Sequence, residues 1–388
     1  MLTAPKVTVT IDVSQAPAGA QDVRLFRNGS LVKLWAGDVL KEQSSVTLTA
    51  MIPIVAGENR LTAYAFNHDN IKSSDATLVV NGAESLKRPG IGYILAIGLN
   101  SYSNPRYNLK YAVADAQGFS AEVKRQQEML KNYARVEFIS LSDSEATKAN
   151  IMQKLTQLVE RVQPGDIVIV YFAGHGTAQQ NRFYLIPHDL GYDGPRARLD
   201  EAGLQSILAH SISDRELEKA FEKIDAGQIL LVIDACNSGQ ALEAEEKRRG
   251  PMNSKGLAQL AYEKGMYILT AAQSYQAAQE ASLLGHGYLT YALVVEGLKN
   301  GAADDEPKDG AVLLREWLDY ATNRVPQMQL EKMKQARGLG LEFSFVEGEE
   351  RQLSLEQRNV QRPRVFYRRE LDVNPLIVAR PQTAPPRK

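Results

Sequence analysis

Residues 229–240 read ILLVIDACNSGQ. An unbroken apolar run, Ile229 to Ile233, ends in an acid, then a small residue, then Cys236, the single cysteine of the chain. A second stretch has the same form: DIVIVYFAGHG, residues 166–176. Runs this short and this apolar read as strands buried on both faces, the signature of a parallel sheet. Working outward, the same run recurs in IGYILAIGLN (91–100), ARVEFISL (134–141) and GMYILTAA (265–272), with helical periodicity between the runs. NLKYAVADAQGFSAEVKRQQEML (108–130) puts Ala112, Ala116, Phe119 and Val123 on one face. Helices are also expected over 147–162, 213–224, 287–300 and 311–325. The third starts on a capping box, Ser213 with Glu216, and Gly301 is placed to end the fourth. Alternating strands and helices predict an α/β fold, a mostly parallel sheet sandwiched by helices. Ligands of such sheets sit beyond the carboxyl ends of the strands, where both Cys236 and His175 lie.

The first 82 residues follow another rule. KVTVTIDV and SVTLTAMIPI alternate, DVRLFRNGSLV carries an Asn28-Gly29 hairpin signal, and NRLTAYAFN and DATLVVNG follow. Residues 1–82 therefore read as a small all-β, Ig-like sandwich serving as an interaction or spacer module. Residues 83–90 form a linker, 91–325 the α/β domain, and 326–388 a C-terminal extension with a Pro- and Arg-rich, partly disordered tail.

Composition excludes several classes. The chain has 388 residues, 44% of them hydrophobic and 23% charged, with a formal net charge of −1. No overall field favours nucleic acid or an anionic membrane. One cysteine allows neither an internal disulfide framework nor a cysteine-rich zinc site. No run of about 18 apolar residues and no basic-then-apolar leader is seen, so a cytoplasmic protein is expected, with a fragment of a longer chain left open. A nucleotide cradle in GIGYILAIG is discounted, because its glycines open a strand instead of joining strand to helix.

A thiol nucleophile needs a partner for its proton, since free cysteine has a pKa of ~8.5. Of the five histidines (His68, His175, His188, His210 and His286) only His175 leaves a buried strand between two glycines. Gly174 and Gly176 are expected to turn the backbone sharply there. The main-chain N–H groups of Gly176 and Cys236 are candidates for an oxyanion site. A lone cysteine at a strand end is also a small hydrophobe, and a histidine in a glycine-flanked loop is also a turn residue. Spacing alone leaves the dyad and the packing reading both open.

VIVYFAGHGT and LLVIDACNSGQ together resemble the histidine and cysteine motifs of the caspase-like cysteine peptidases, in the metacaspase and bacterial caspase-homologue branch. The likeness extends to YILAIGLNSY with NLKYAVADAQGFSAEVK, to FYLIPHD, to YILTAAQSYQAAQE and to GHGYLTYALVVEGLKNGAAD, in the family's order over roughly 90–305. The resemblance implies that His175 is the general base and acid, that Cys236 is the nucleophile, and that Gly176 and Cys236 supply the oxyanion N–H groups. It also implies that Asp115 and Asp234 line the pocket for the residue before the scissile bond. Strand alternation puts Asp234 on the same face as Cys236. Two carboxylates would select Arg or Lys, so substrates are expected to be proteins or peptides with a basic residue before the scissile bond. Read plainly, Asp115 is a solvated first-turn residue and Asp234 a loop acceptor.

The polar loop 240–256 carries Lys247, Arg248 and Arg249, candidate sites of self-cleavage in a zymogen; read plainly it is a solvated loop. No cofactor is required for this chemistry. Calcium activation is left open, because Asp189, Asp193, Asp304 and Asp305 form no recognisable coordination loop. The rival readings are a catalytically silent caspase-fold scaffold and a related His–Cys peptidase of different specificity. The β module is expected to bind a protein partner, with no nucleic acid or membrane involved.

Overall fold

The computed structural model describes residues 1–14, 16–179, 182–195, 198–237, 255–273, 285–305, 307–337, 361–367 and 375–381. The N-terminal strands are β1 (Lys6–Ser14), β2 (Gln21–Arg27), β3 (Ser30–Asp38), β4 (Ser45–Pro53), β5 (Gly57–Phe66) and β6 (Ala76–Gly82). They form two antiparallel sheets, β1 with β4, and β3-β2-β5-β6. Alternation along β1 brings Val7, Val9 and Ile11 against Leu25, Ile52, Leu61 and Ala63, which make a core for this all-β region. The β2–β3 hairpin turns on Asn28 and Gly29, at φ 50° and 82°. Asn and Gly are the residues that tolerate this left-handed pair.

The rest of the chain runs β7 (Ile91–Gly98), α1 (Ala112–Leu130), β8 (Arg135–Ser142), α2 (Lys148–Arg161), β9 (Ile167–Gln179), β10 (Arg182–Ile186), α3 (Glu201–His210), β11 (Ile212–Ser213), α4 (Asp214–Glu222), β12 (Gln228–Asn237), α5 (Lys255–Lys264) and β13 (Tyr267–Gln273). It continues with α6 (α-helical over Tyr288–Thr290, π-helical over Tyr291–Lys299), β14 (Val312–Leu313), α7 (Leu314–Arg337), β15 (Arg364–Phe366) and β16 (Ile377–Ala379). An eight-stranded sheet forms the centre. Its parallel part has the order β8-β7-β9-β12-β13. β15 adds antiparallel to β13, and β10 and β11 extend the sheet antiparallel from the far half of β9.

Successive residues of each central strand enter different cores, which explains the unbroken apolar runs. On β9, Ile167, Ile169, Tyr171 and Ala173 pack with Phe119 of α1, Leu293 of α6 and Trp317 of α7. Val168, Val170 and Phe172 pack on the other side, where Ile151 and Leu155 of α2, Leu217 and Phe221 of α4 and Ala261 of α5 close the layer. The Ser213 capping box forms with both of its hydrogen bonds. The helix expected over 311–325 starts at Leu314, carries Pro326 inside it and continues to Arg337. Its buried side, Trp317, Leu318, Ala321, Val325 and Met328, spans the proline, so packing outweighs the lost backbone bond. Most of α6, from Tyr291 on, has π geometry, with Asn300 N donating to the carbonyl five residues back, Val295 O, at 3.0 Å. Unread in the sequence are α3, α5, the β10–β11 extension and the short strands β14, β15 and β16, the last two lying in the segment expected as a C-terminal extension.

Two polar devices fix the arrangement. Asp166, fully buried just before β9, accepts from Ile91 N and Gln163 N, both at 2.8 Å, and pairs with Arg88. Its carbonyl accepts from Gly227 N at 2.9 Å. One residue thus ties together the starts of β7, β9 and β12. The second device docks the all-β region. Arg27 on β2 forms a two-point pair with Asp225, at 2.9 and 2.7 Å. Arg24 pairs with Glu263 at 3.1 Å, and Lys264 Nζ donates to Leu31 O at 2.7 Å.

Burial lowers the Lys264 ammonium from 10.5 to about 8. Its folded-state pKa lies below the unfolded one, so the folded protein is penalised below pH 8 and relieved as pH rises from 8 to 10.5. The relief is of order 3 kcal/mol. Thermal melts of wild type and Lys264→Met should therefore differ by an amount that moves in favour of wild type across that window. Parallel curves would mean that the amine is hydrated.

Candidate active site

The β9–β12 ladder decides the site. Gln228 pairs with Ile167, the first of ten parallel pairs. Asp234 falls opposite Ala173, Cys236 opposite His175 and Asn237 opposite Gly176. On its other side the Cys236 backbone pairs with Gln273 of β13. The two residues picked out in the sequence therefore occupy one rung of neighbouring strands, whose backbones lie about 4.8 Å apart. The Cys236 side chain lies outside the described residues, as do residues 238–254 with Lys247, Arg248 and Arg249.

His175 is 2% exposed. Its Nε2 sits 2.7 Å from the Tyr107 carbonyl oxygen. A carbonyl only accepts, so Nε2 carries the hydrogen and the neutral ring keeps its lone pair on Nδ1. The ring lies between two tyrosines: Tyr102, with centroids 4.9 Å apart, and Tyr107, edge-on at 6.2 Å. The His175 main-chain N–H donates to the Tyr102 hydroxyl at 2.7 Å. The loop presenting Tyr107 is a short 3-10 turn, Pro105–Tyr107. Asn104, buried ahead of it, donates to the carbonyls of Tyr192 and Gly194 at 3.0 and 2.8 Å. Sequence reading missed Tyr102, Asn104 and Tyr107. The decisive group at Tyr107 is a carbonyl, which every residue type supplies, so no side-chain signal marks it.

The expected role of the flanking glycines needs correcting. β9 runs extended through Gly176 and on to Gln179, pairing with β10 as a hairpin, so neither glycine makes a sharp turn. Their reason is space. A Cβ on Gly174 would stand 3.0 Å from the Tyr102 hydroxyl, and one on Gly176 would stand 2.8 Å from the Phe183 ring and 3.0 Å from Ala235 Cβ.

Asp115 and Asp234 are each 5% exposed, so neither plain reading survives: Asp115 is not solvated, and Asp234 lies on β12, not in a loop. Both bear on the same hydroxyl. Tyr171, fully buried and stacked on Phe119 at 4.4 Å, places its OH 3.4 Å from Asp234 Oδ2 and 2.5 Å from Thr290 Oγ1. Burial, with the fields of Asp234 and Asp115, raises the Tyr171 phenol well above its ordinary value, so it stays protonated as a donor. Asp115 accepts from His286 Nδ1 at 2.9 Å and from Gly287 N at 3.0 Å. Burial raises its carboxyl, while the His286 and Gly287 hydrogen bonds oppose the rise. The Gly285-His286-Gly287 setting repeats the Gly174-His175-Gly176 triplet, and that repeat was the available signal for His286.

Two other histidines meet backbone carbonyls: His188 Nδ1 lies 2.8 Å from Ser101 O, and His210 Nδ1 lies 2.8 Å from Ser206 O. Two of the acids considered for calcium are committed to the backbone. Asp189 caps α2 through Lys148 N at 2.9 Å, and Asp304 accepts from Asp309 N and Gly310 N. Among the described residues, no three His, Cys, Asp or Glu side chains are grouped to hold a metal ion.

A family model described as the caspase domain matches residues 91–338, more than half of the chain. Metacaspase-1A of Aspergillus niger is 27% identical over 200 residues, covering 49% of this chain and 46% of that protein. Metacaspase-1A of Aspergillus terreus is 25% identical over 221 residues, covering 55% and 50%. Metacaspase-4 of Arabidopsis thaliana is 25% identical over 119 residues, covering 29% and 25%. The chain thus spans half or less of the length of these relatives. The match begins at the first residue of the parallel sheet and ends one residue beyond α7, enclosing the rung that pairs His175 with Cys236, and on that basis the chain belongs to the caspase-domain family.

Proposed function

We propose that the protein is a cysteine endopeptidase that cleaves protein substrates after Arg or Lys. The observation that carries this reading is the His175 imidazole, held through Nε2–H by the Tyr107 carbonyl on the same rung as Cys236. A base oriented by a third group, beside a nucleophile, is the general arrangement for covalent acyl transfer.

His175 Nδ1 takes the Cys236 thiol proton, and the thiolate attacks the scissile carbonyl carbon. The oxyanion that forms is received by the main-chain N–H groups of Gly176 and Cys236. Collapse breaks the C–N bond as the imidazolium returns its proton to the leaving amine, so one peptide product departs and a thioester remains. Water then gives a proton to His175 as its oxygen attacks the thioester. The second product leaves as a carboxylic acid and the thiol is restored. The chemistry needs no cofactor beyond these groups. Asp115 and Asp234 receive the guanidinium or ammonium of the substrate residue, because two carboxylates in a dry pocket favour a cation over any neutral side chain. The Lys247-Arg248-Arg249 cluster is a matching self-processing site. The all-β region serves as a docking module for a protein partner.

Activity on peptides ending in Arg or Lys should fall at least about 1,000-fold in Cys236→Ala and in His175→Ala. Activity surviving in Cys236→Ala, or a preference for Asp, would sink the mechanism or the specificity respectively; parallel assays with and without calcium measure any activation. Intact mass after incubation tests self-processing: fragments ending at Lys247, Arg248 or Arg249 are expected in wild type and none in Cys236→Ala. A second expectation concerns Tyr102→Phe, which removes the acceptor of a buried N–H and should cost about 1–3 kcal/mol of stability. Chemical denaturation measures that cost, and a change below ~0.5 kcal/mol would show that water replaces the hydroxyl.

A further inference from the structure

Asp115 cannot act as a cation receiver by burial alone. A carboxyl 5% exposed at the start of a helix is pushed toward its neutral form, and a neutral carboxylic acid offers little to a guanidinium. Two groups oppose that push, and both come from the residues leading into α6. Gly287 N lies 3.0 and 3.1 Å from the two carboxylate oxygens, and His286 Nδ1 lies 2.9 Å from Oδ1. A carboxylate only accepts, so Nδ1 carries the hydrogen.

A separate observation comes from α1. Gly118 lies three residues after Asp115, in mid-helix, where glycine costs roughly 0.5–1 kcal/mol relative to alanine. A Cβ there would stand 2.8 Å from His286 Cε1. The helix leaves out a side chain where the imidazole lies against it. The His286 side chain is 23% exposed and that of Asp115 7%, so the imidazole is the more open of the pair to solvent. The groups acting on Asp115 are His286 and Gly287 from the segment before α6. Tyr171 of β9 feels both Asp115 and Asp234 of β12.

We propose that His286 is a positioning residue for specificity: seated in the gap left by Gly118, it and the Gly287 N–H hold the buried Asp115 carboxylate in the geometry that receives the basic side chain of the substrate. This rests on the reading of Asp115 given above. His286 acts through Asp115 and takes no part in the acyl transfer, so its loss changes substrate binding and leaves the chemical step alone.

The test compares wild type with His286→Ala, His286→Asn and Gly118→Ala on an Arg peptide, following KM, kcat and the pH profile. His286→Ala should raise KM about 10-fold or more, with kcat within about twofold, as expected for the loss of a hydrogen bond to a charged group. Without its partner Asp115 is harder to ionise, so the acid limb of kcat/KM should move to higher pH. Asn places an amide N–H near the position of Nδ1 and should restore most of the loss. Gly118→Ala should also raise KM, by displacing the ring, although alanine favours the helix. If His286→Ala fails to fold, the Gly118→Ala arm decides. An unchanged KM and acid limb overturn the proposal, as does an equal loss in His286→Ala and His286→Asn, which would mark the ring as mere filling. A wild type that binds a nonreactive N-acetyl-arginine amide no better than its alanine counterpart, and does not cleave after Arg or Lys, overturns the reading of Asp115 itself. That outcome is distinct from a wild type that cleaves such bonds while the variants match it.

Discussion

The structure depends on the register of β9 against β12. A parallel ladder brings residues together in steps of about 3.3 Å, and a slip of one position inverts every side chain relative to its core. Here a slip would separate His175 from Cys236 and also drive Asp234 into the opposite layer. The register is secured at the end far from the site. Asp166, without solvent of its own, ties the start of β9 to β7 and to the approach to β12. From that clamp the β9–β12 ladder runs eight steps to the rung of His175 and Cys236, with successive residues entering the two cores in turn. Chemistry at one end of the sheet is thus held by a buried carboxylate at the other.

Buried polar groups recur wherever backbone segments must meet at fixed distances. Asn104 holds the turn that aims the Tyr107 carbonyl. Arg27, Asp225 and Lys264 hold the all-β region against the loop before β12 and against α5. Hydrophobic packing alone is tolerant of sliding, whereas a desolvated charge is satisfied in one arrangement and costly in the others. The same logic operates at the site, where the nearly dry Asp234 carboxylate meets the Tyr171 hydroxyl and Thr290 of α6, and that of Asp115 is tied to His286 just ahead of α6.

Glycine illustrates how a residue type is legible while its reason is not. Gly174 and Gly176 announce that something special happens around His175. The sequence suggests a turn, but the backbone stays extended, and the glycines exist because a tyrosine hydroxyl, a phenylalanine ring and an alanine methyl occupy the space of their missing side chains. Gly118 is the same case on a helix. Close packing among residues far apart in the chain leaves no local trace.

The amino-acid sequence by itself determined the alternation of strands and helices, the six-stranded all-β start, the Ser213 capping box, the Asn28-Gly29 hairpin and the placing of Cys236 at the carboxyl end of a buried strand. Each of these is written in local periodicity, capping or turn chemistry, which depends on neighbours a few residues away. Only the tertiary structure decided that the two residues share a rung, that the His175 ring is oriented by the Tyr107 carbonyl, that Asp115 is buried and paired with His286, and that α7 runs through Pro326 to Arg337. These rest on main-chain atoms common to all residues, or on burial by segments 60 to 170 positions away. A carbonyl has no letter in the sequence, and burial belongs to the assembled layers.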